Sequence, residues 1–293
     1  MTQSAISNLL LVVNSVSGGI AKDGLVQMAI KLLKTESTNI HVYYLKGKND
    51  VSELEFHIEK INPHSIVAIG GDGTVSLVAR KVIGTAMQMG IIPAGSANGM
   101  ALELNIPLQA EEAIAVIKKG MARKIDAIQI NNQICIHLSD IGINAQLIKY
   151  FDQGKTRGKI GYAKVALRVL FRMKPVRVHI QSPTIQIHRN AYMVVIANAS
   201  KYGTGAVINP KGDLYDGIFE IVILRKLSLS TLFKMWFRPL TFTLDQVEVF
   251  QATSVTIETI KKVHFQIDGE FLGKVQKVKA NILPGKLNMI LPD

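Results

Sequence analysis

The sequence predicts an α/β fold in which a parallel sheet is followed by a β-rich antiparallel sandwich or curled sheet. Three observations support this prediction. Strands and helices alternate as far as Asp126, short β-branched strands dominate from Ala127 onward, and loops of small residues follow three strands of the first part. Such alternation is typical of a parallel sheet that helices cover, with ligands at the carboxyl ends of the strands. We therefore expect one domain over residues 1–126 and a second over residues 127–293, allowing for a return of the extreme C-terminus to the first domain.

The elements of the first part follow from the period of the apolar residues. The run Ser65–Ile69 is apolar without interruption, as in a strand that is buried on both faces, and Glu111–Lys119 is an amphipathic helix that ends at Gly120. The predicted elements are, in order, strand 9–13, helix 22–34, strand 40–45, helix 51–60, strand 65–69, a helix after Gly73 as far as 83, strand 89–93, helix 97–104 and helix 111–119.

The second part has short strands with alternating apolar and polar residues, which indicates an antiparallel sheet. One helix, over residues 162–171, interrupts them. The predicted strands are 128–130, 133–137, 176–181, 184–188, 191–197, 218–224, 247–251, 254–258 and 263–267.

Composition excludes several classes of protein. At 293 residues, 48% of them apolar, the chain can bury a substantial core and is not disordered. Cys135 is the only cysteine, which excludes an internal disulfide and fits a reducing, cytoplasmic setting. No apolar stretch approaches the roughly 18 residues of a membrane span, and we interpret Ile6–Val13 as the first strand rather than as a signal peptide.

The chain is strongly basic, with a formal net charge of +12 and a pI near 9.7. A basic surface attracts nucleotides, nucleic acids and anionic lipids alike, and it also serves solubility alone. We do not expect nucleic-acid binding, because the sequence has neither zinc-finger spacing nor the aromatic strand typical of RNA-binding domains.

The run Gly70-Gly71-Asp72-Gly73-Thr74 lies directly between a predicted buried strand and a predicted helix. Glycines at such a position let backbone N–H groups approach a polyanion closely. An acid in the same loop would repel bare phosphate, so Asp72 indicates a metal ion, or water held by one, between the two. The alternative is a surface turn, in which glycine and aspartate are common.

Two further loops of small residues follow predicted strands. The first, Val13–Gly19, offers N–H groups and hydroxyls to a nucleotide, although taken alone it is better explained as an ordinary strand-to-helix turn. The second, Ile92–Met100, opens a helix, and its Ser96 and Asn98 either donate to a nucleotide or cap that helix. Three such loops at the same sheet edge indicate one shared crevice.

Acidic residues mark two places in the second part. Asp213 and Asp216 lie in one Asp-Gly segment, and Asp268 and Glu270 lie in another. Asp-Gly between strands is a common hairpin signal, and a hairpin would prevent Asp268 and Glu270 from sharing a strand face. A carboxylate that faces the phosphate crevice could instead accept a proton from an alcohol that attacks the γ-phosphate.

These segments together form an ordered set of motifs: Asn14-(x)2-Ser17-Gly18, Gly70-Gly71-Asp72-Gly73-Thr74, Pro93-Ala94-Gly95-Ser96-Ala97-Asn98, Asp213-(x)2-Asp216-Gly217 and Asp268-Gly269-Glu270. The set resembles the diacylglycerol kinase-like lipid kinases, a family that includes sphingosine and ceramide kinases. NAD kinases share the second motif alone, so the order of the motifs is the more specific signal. The resemblance implies a nucleotide-binding α/β domain, a β-rich lipid-binding domain, and an active site in the cleft between them.

The resemblance also implies roles for individual residues. Glu270 would be the base that takes the proton from the lipid hydroxyl. Lys155 would touch phosphate, although a solvated cation is the plainer interpretation. The residues implied to bind ATP are Asn14, Ser17, Gly18, Gly70, Gly71, Asp72, Gly73, Thr74, Gly95, Ser96, Asn98 and Lys155.

The same resemblance implies Mg²⁺ as a cofactor. Asp72 would order the catalytic ion, with Asp126 and Asp268 supporting it through water; Asp126 is otherwise an ordinary turn residue. A second, structural metal site is implied at Asp213, Asp216 and the backbone carbonyl of Ile218.

The sequence departs from the family pattern at several positions, one of which is the end of the second strand, where a nucleotide-contacting Thr is not apparent near Tyr44 and Leu45. Gly99 stands where bacterial diacylglycerol kinases usually carry an acid, which makes the third loop more similar to that of sphingosine kinases. Leu77 and Arg80 replace a glutamate and an asparagine that are frequent in the helix after the glycine loop. These changes motivate one alternative, a non-catalytic lipid- or nucleotide-binding relative.

We therefore predict an ATP- and Mg²⁺-dependent kinase that phosphorylates a hydroxyl of a diacylglycerol-like or sphingoid lipid. The stretches 155–174 and 232–240 mix cations with large apolar residues, which suits peripheral contact with an anionic membrane surface, or else a core helix with a basic face. The sequence leaves open whether the protein forms a homodimer. The other alternative is an NAD kinase-like enzyme with a soluble substrate.

Overall fold

A computed structural model describes residues 8–15, 22–143, 145–146, 174–202, 206–207, 209, 212–226 and 246–293. Several predictions concern residues outside this part: the helix 162–171, the stretch 232–240, and the ATP-binding residues Ser17, Gly18 and Lys155. The chain divides into two compact units, one of Met1–Ile125 with Gly285–Asp293 and one of Asp126–Pro284. None of the helices in the described ranges is long and apolar enough to cross a membrane.

The first unit contains a parallel sheet with the strand order β2-β1-β3-β4, which confirms the predicted α/β arrangement. The last residues of the final strand, β16, pair in parallel with β4 through Asn288 and Met289. The elements of this unit are β1 (Asn8–Asn14), α1 (Asp23–Leu33), β2 (Asn39–Leu45), α2 (Asp50–Ile61), β3 (Ser65–Gly70), α3 (Asp72–Val82), β4 (Gln88–Pro93), α4 (Gly99–Glu103) and α5 (Ala110–Lys119).

The two central strands of this sheet are apolar without interruption because helices cover both of their faces. Every side chain of Leu9–Val13 in β1 and of Ile66–Ile69 in β3 is fully buried. Each large apolar side chain contributes about 1.5–3 kcal/mol when it is removed from water. At the edge of the sheet, exposed and buried residues alternate in β2 instead. The buried strands therefore fix the position of the loops at their carboxyl ends.

Two helices of the first unit start at residues that differ from the prediction. The helix after the glycine loop already starts at Asp72, which places the carboxylate of that residue in the first turn of α3. The next helix, α4, starts only at Gly99, because Asn98 has a left-handed backbone with φ of +52°. The side chain of Asn98 bonds back to the backbone of Gly95, which delays the start of the helix.

The second unit contains an antiparallel sheet with the strand order β14-β13-β10-β7-β15-β16, as the sequence predicts. The hairpin of β8 and β9 pairs with β15, and β5 forms a hairpin with β6. The strands are β5 (Met121–Ile130), β6 (Gln133–Cys135), β7 (Leu138–Gly142), β8 (Val176–Gln181), β9 (Gln186–Ala191), β10 (Met193–Ala197), β11 (Lys201–Tyr202), β12 (Ala206–Val207), β13 (Phe219–Leu224), β14 (Val247–Ala252), β15 (Ser254–Ile267) and β16 (Glu270–Leu291).

Three of the strands that differ from the sequence prediction are β15, β7 and β16. β15 is one strand rather than two, and a shift of register between Glu258 and Val263 accounts for the apparent interruption. β7 escaped prediction because two of its buried residues, Ser139 and Asp140, are polar. β16 escaped prediction because it contains Gly273 and a Pro-Gly pair and is rich in exposed lysines.

Candidate functional site

The loop after β3 is joined to the loop after β4 through the side chain of Asp72. Oδ1 of Asp72 accepts a hydrogen bond of 3.0 Å from the backbone N–H of Met100, at the start of α4. The backbone N–H of Ala94 also donates to the carbonyl oxygen of Gly70 at 2.9 Å. The structure thus brings two of the three predicted small-residue loops together, and it gives Asp72 a role in the contact between them.

The two loops approach so closely that a Cβ atom on either glycine at the contact would crowd the backbone of the other loop. A Cβ atom on Gly95 would lie 2.4 Å from Cα of Gly71, and a Cβ atom on Gly71 would lie 3.1 Å from Cα of Gly95. A Cβ atom on Gly70 would lie 2.3 Å from Oγ1 of Thr74. These glycines are therefore needed for packing, which is a different reason from the predicted access of phosphate.

Replacing Gly95 with Ala is expected to lower the free energy of unfolding by about 2 kcal/mol or more, because the two backbones must separate to admit a methyl group. Urea unfolding followed by circular dichroism measures the change. Gly73→Ala is the matched control, since a Cβ atom there meets nothing within 4 Å and the residue lies in α3. Equal stability of the two variants would contradict the close contact.

The open side of the glycine loop faces solvent at the N-terminus of α3. Gly73 is exposed, and Thr74 is only 2% exposed, with no partner for its hydroxyl oxygen among the described residues. The first N–H groups of a helix lack partners inside the helix and carry the positive end of its dipole. The start of α3 is therefore suited to bind an anion such as a phosphate group.

Asn98 is used within its own loop. Its Oδ1 atom accepts from the N–H of Gly95 at 2.9 Å, and its Nδ2 atom donates to the carbonyl oxygen of Gly95 at 3.0 Å. Ser96, between the two residues, is exposed. The hydrogen bonds of Asn98 shape the loop, and direct contact of Gly95, Ser96 and Asn98 with a nucleotide stays a prediction.

Lys22 is a buried cation at the first loop that the sequence prediction missed. It is 5% exposed, and its Nζ atom donates to the carbonyl oxygen of Asn14 at 2.6 Å. Burial lowers the pKa of Lys22 below its ordinary value. The sequence did contain a signal for Lys22. A lysine directly before the first turn of a helix is unfavourable with the helix dipole, so its presence there indicates another role. Lys22 places a positive charge at the carboxyl end of β1.

Asp126 lies beside the segment that carries the second predicted metal site. The backbone N–H of Asp126 donates to the carbonyl oxygen of Leu214 at 2.7 Å, and its Oδ2 atom accepts from the N–H of Gly217 at 2.7 Å. The side chain is 2% exposed. Asp126 thus supports the turn around residues 213–218, and its part in a catalytic Mg²⁺ site stays a prediction.

Asp213 and Asp216 lie in that turn, each bonded to a backbone N–H two residues later. Oδ1 of Asp213 accepts from Tyr215 at 3.0 Å, and Oδ1 of Asp216 accepts from Ile218 at 3.1 Å. Partial burial raises the pKa of Asp216, and the negative charges of Asp213 and Asp126 raise it further. A cation would therefore stabilise this cluster of carboxylates.

The donor atoms of this turn fit a hard divalent cation. In the predicted site, two carboxylates and the backbone carbonyl of Ile218 would supply oxygen ligands, which Mg²⁺ and Ca²⁺ prefer. Within the described ranges, no group of three or more His, Cys, Asp or Glu side chains is arranged to hold a metal ion. The two carboxylates would therefore need the carbonyl oxygen and water to complete a coordination shell.

Replacing Asp216 with Asn is expected to preserve or raise the melting temperature in EDTA and to reduce the rise that Mg²⁺ or Ca²⁺ produces. Because the pKa of Asp216 is raised in the folded state, its contribution to stability is present at low pH and is lost as the pH rises through that pKa. A cation at 100 times its dissociation constant adds about 2.7 kcal/mol. Thermal unfolding at pH 7 measures both effects, and Asp23→Asn, at an exposed position, is the control. An undiminished cation effect in Asp216→Asn would contradict the site.

Asp268 and Gly269 form the two-residue turn between β15 and β16, and Glu270 is the first residue of β16. Ile267 pairs with Glu270, and Asp268 and Gly269 both have left-handed backbones, with φ of +49° and +85°. Positive φ at both central residues is typical of a type I′ hairpin turn. The hairpin alternative considered from the sequence is therefore confirmed, and Asp268 and Glu270 do not lie on one face of a regular strand.

The carboxylate of Asp268 anchors this turn to the segment between β6 and β7. Its oxygens accept from the backbone N–H groups of Ile136, His137 and Leu138 at 3.0–3.2 Å. The thiol of Cys135 lies 3.3 Å from Oδ1. Support of a magnesium ion by Asp268 stays a prediction, whereas its structural role is evident. Glu270, two residues later, is exposed.

The predicted site residues thus form three groups. Asp72 and the glycines lie together at the start of α3, Asp126 lies with the turn of Asp213 and Asp216, and Glu270 lies on the anchored hairpin. Comparison with known proteins identifies the family of the chain. Residues 8–130 match the model of the diacylglycerol kinase catalytic domain, and residues 139–291 match that of the YegS C-terminal NAD kinase beta sandwich-like domain. The chain belongs to the diacylglycerol kinase-like family of lipid kinases.

Individual proteins are similar to this chain over nearly their full length. A protein of Salmonella newport strain SL254 named "Probable lipid kinase YegS" is 27% identical, covering 97% of this chain and 95% of its own. A solved structure of a diacylglycerol kinase from Bacillus anthracis strain Sterne has a TM-score of 0.75 at 18% identity, over 99% of this chain and 98% of its own. A second solved protein of that strain has a TM-score of 0.81 at 21% identity, over 99% of both chains. At these identities the two structures support the fold alone.

Proposed function

We propose that the protein catalyses transfer of the γ-phosphate of ATP, as its Mg²⁺ complex, to a hydroxyl of a diacylglycerol-like or sphingoid lipid. The observation that carries the proposal is the glycine loop at the start of α3. There, Asp72 joins two loops of a domain that matches the diacylglycerol kinase catalytic model. The relative that is named a lipid kinase favours a lipid as the acceptor.

In this proposal the phosphates of ATP bind at the N-terminus of α3 and near the positive charge of Lys22. Oδ1 of Asp72 is bonded to Met100, and within the described part of the chain its Oδ2 atom has no hydrogen-bond partner. Oδ2 is thus suited to hold water of a bound magnesium ion. When bound, Mg²⁺ would neutralise charge on the phosphates and on the leaving group. The residues Gly70, Gly71 and Gly95 keep the two loops close enough for that contact.

The acceptor hydroxyl would lose its proton to Glu270. As the lipid oxygen forms its bond to the γ-phosphorus, the bond to the bridging oxygen breaks, ADP leaves, and the hydroxyl proton passes to the carboxylate of Glu270. Glu270 is exposed, so a substrate can reach it, and the anchored turn holds its backbone in place. Phosphoryl transfer depends mostly on positioning and on charge, which suits a rigid turn.

A lipid acceptor also fits the charge of the protein. The formal net charge of +12 favours approach to an anionic membrane surface, where the lipid hydroxyl is found. We therefore include peripheral contact with such a surface in the proposal. The alternative is that the enzyme phosphorylates a soluble acceptor. This alternative is motivated by the C-terminal domain model, whose name describes an NAD kinase-like beta sandwich.

The test is transfer of label from γ-³²P-ATP with Mg²⁺ into a total lipid extract, with NAD as the soluble acceptor in a parallel reaction. Label in the organic phase that requires Mg²⁺ would support the lipid kinase, and chromatography would identify the product. Label in NAD alone would overturn the choice of acceptor. ATP binding without transfer to either acceptor would overturn catalysis and favour a non-catalytic relative.

A further inference from the structure

A buried chain of hydrogen bonds leads from the turn of Glu270 into the second unit. The N–H of Gly269 donates to Oε1 of Gln266 at 2.7 Å, and Nε2 of Gln266 donates to Oδ2 of Asp140 at 2.5 Å. The other oxygen of Asp140, Oδ1, accepts from the N–H of Ala145 at 3.0 Å. Gln266 is 0% exposed and Asp140 is 1% exposed. Two polar side chains are thus buried directly behind the residue that precedes Glu270.

The backbones on either side hold these two side chains opposite each other. Gln266 of β15 pairs with Asp140 of β7 in the antiparallel ladder. The hydroxyl of Ser139 donates to the carbonyl oxygen of Gln266 at 2.6 Å and fixes the same pair of strands. Burial of a carboxylate and an amide is costly unless both are hydrogen-bonded, so this arrangement requires a reason beyond packing.

The donor-to-acceptor direction of these hydrogen bonds is determined at the buried end, by Asp140. The carboxylate of Asp140 only accepts hydrogen bonds, so the NH₂ group of Gln266 must face it. The carbonyl oxygen of Gln266 then necessarily faces the N–H of Gly269. We propose that Gln266, oriented by Asp140, is a positioning residue for Glu270, which it holds through the backbone of the turn. This inference rests on the proposed role of Glu270 as the proton acceptor.

Either single substitution that exchanges a carboxylate and an amide at one of the two positions disrupts this series of hydrogen bonds. Gln266→Glu places two carboxylates face to face. Asp140→Asn places two NH₂ groups face to face, and a flip of Gln266 to relieve that clash would turn its NH₂ group toward the N–H of Gly269. In Asp140→Asn the turn loses its acceptor or the two strands must move apart. In Gln266→Glu one carboxylate oxygen can still accept from Gly269, but the other faces the carboxylate of Asp140, and their repulsion pushes the two strands apart. A shift of about 1 Å in a reacting group can cost about 100-fold in rate.

The double variant Asp140→Asn/Gln266→Glu restores all three hydrogen bonds with the middle one reversed. The amide introduced at position 140 would still accept from Ala145 through its oxygen, and its NH₂ group would donate to the new carboxylate. The other oxygen of that carboxylate would accept from Gly269. We expect each single variant to lower kcat for lipid phosphorylation by about tenfold or more with little change in KM, and the double variant to regain most of the loss.

The matched control is Gln276→Glu, an exposed glutamine on β16, which should leave kcat unchanged. The inference is overturned if both single variants keep the kcat of the wild type while Glu270→Gln does not. It is also overturned if the double variant, with an unchanged melting temperature, is no better than the worse single variant.

A second measurement separates failure of the inference from failure of the proposed function. Hydrogen exchange of the Gly269 amide reports its hydrogen bond to Gln266 whatever reaction the protein catalyses. Protection that falls in Asp140→Asn and returns in the double variant supports the positioning role even if Glu270→Gln stays active. Equal protection in all variants overturns it.

Discussion

Replacing Glu270 with Gln is expected to lower kcat for lipid phosphorylation by about 10²–10⁴-fold, because an amide cannot take the proton of the attacking hydroxyl. The two side chains have nearly the same size, and Glu270 is exposed, so the fold should be retained. Initial rates at saturating ATP and lipid measure kcat, and the melting temperature reports the fold. The KM for ATP should change little, because the proposed role of Glu270 concerns the acceptor.

Glu112→Gln is the matched control, since Glu112 is an exposed residue in the first turn of α5. It should have the activity of the wild type. If Glu270→Gln keeps more than about half of the wild-type kcat, its proton is taken by water or by another group, and the proposed base is wrong. A large rise in KM for the lipid at unchanged kcat would instead assign Glu270 to substrate binding.

Replacing Asp72 with Asn is expected to lower kcat by about 100-fold or more and to raise the Mg²⁺ concentration needed for half-maximal activity. This substitution removes the negative charge of the side chain but leaves its hydrogen bond to the loop possible. In Asp72→Asn the amide oxygen can still accept from the N–H of Met100, whereas Asp72→Ala removes both the charge and that bond. Activity measured across a Mg²⁺ titration, together with the melting temperature, distinguishes the two variants.

Asp23→Asn is the control, because Asp23 is likewise the first residue of a helix, α1, and is exposed. A loss of activity in Asp72→Ala but not in Asp72→Asn would show that the bond to Met100, and not the negative charge, is what the reaction needs. The assignment of Asp72 to magnesium would then be wrong, and its function would be to hold the two loops together.

The sequence predicts the fold best where burial is uniform. The short, continuous apolar runs of β1 and β3 favour strands covered on both faces, and their predicted bounds were nearly right. Prediction failed for β7, where Ser139 and Asp140 are polar yet buried, because their partners come from residues more than 120 positions away. Local periodicity carries no information about such distant partners.

In the candidate site, too, local features could be predicted from the sequence and contacts between distant residues could not. Motifs at strand ends point to Asp72, Glu270 and the glycines as candidates, because the spacing within each motif is local. The contacts of Asp268 with residues 136–138 could not be predicted, since they depend on how two distant hairpins meet. Gln266 gave no signal at all, because a single glutamine in a strand is normally exposed, and only the fold places it opposite Asp140.

The return of Gly285–Asp293 to the first unit affects how the protein can be made. Domains usually fold in order during synthesis, the N-terminal one first. Here the parallel sheet must wait for its strand beside β4 until the ribosome has translated the whole second unit. Leu287, Met289, Ile290 and Leu291 are almost fully buried in the finished protein. A nascent chain of the first 125 residues would thus lack part of its core and present an unpaired β4 edge to chaperones.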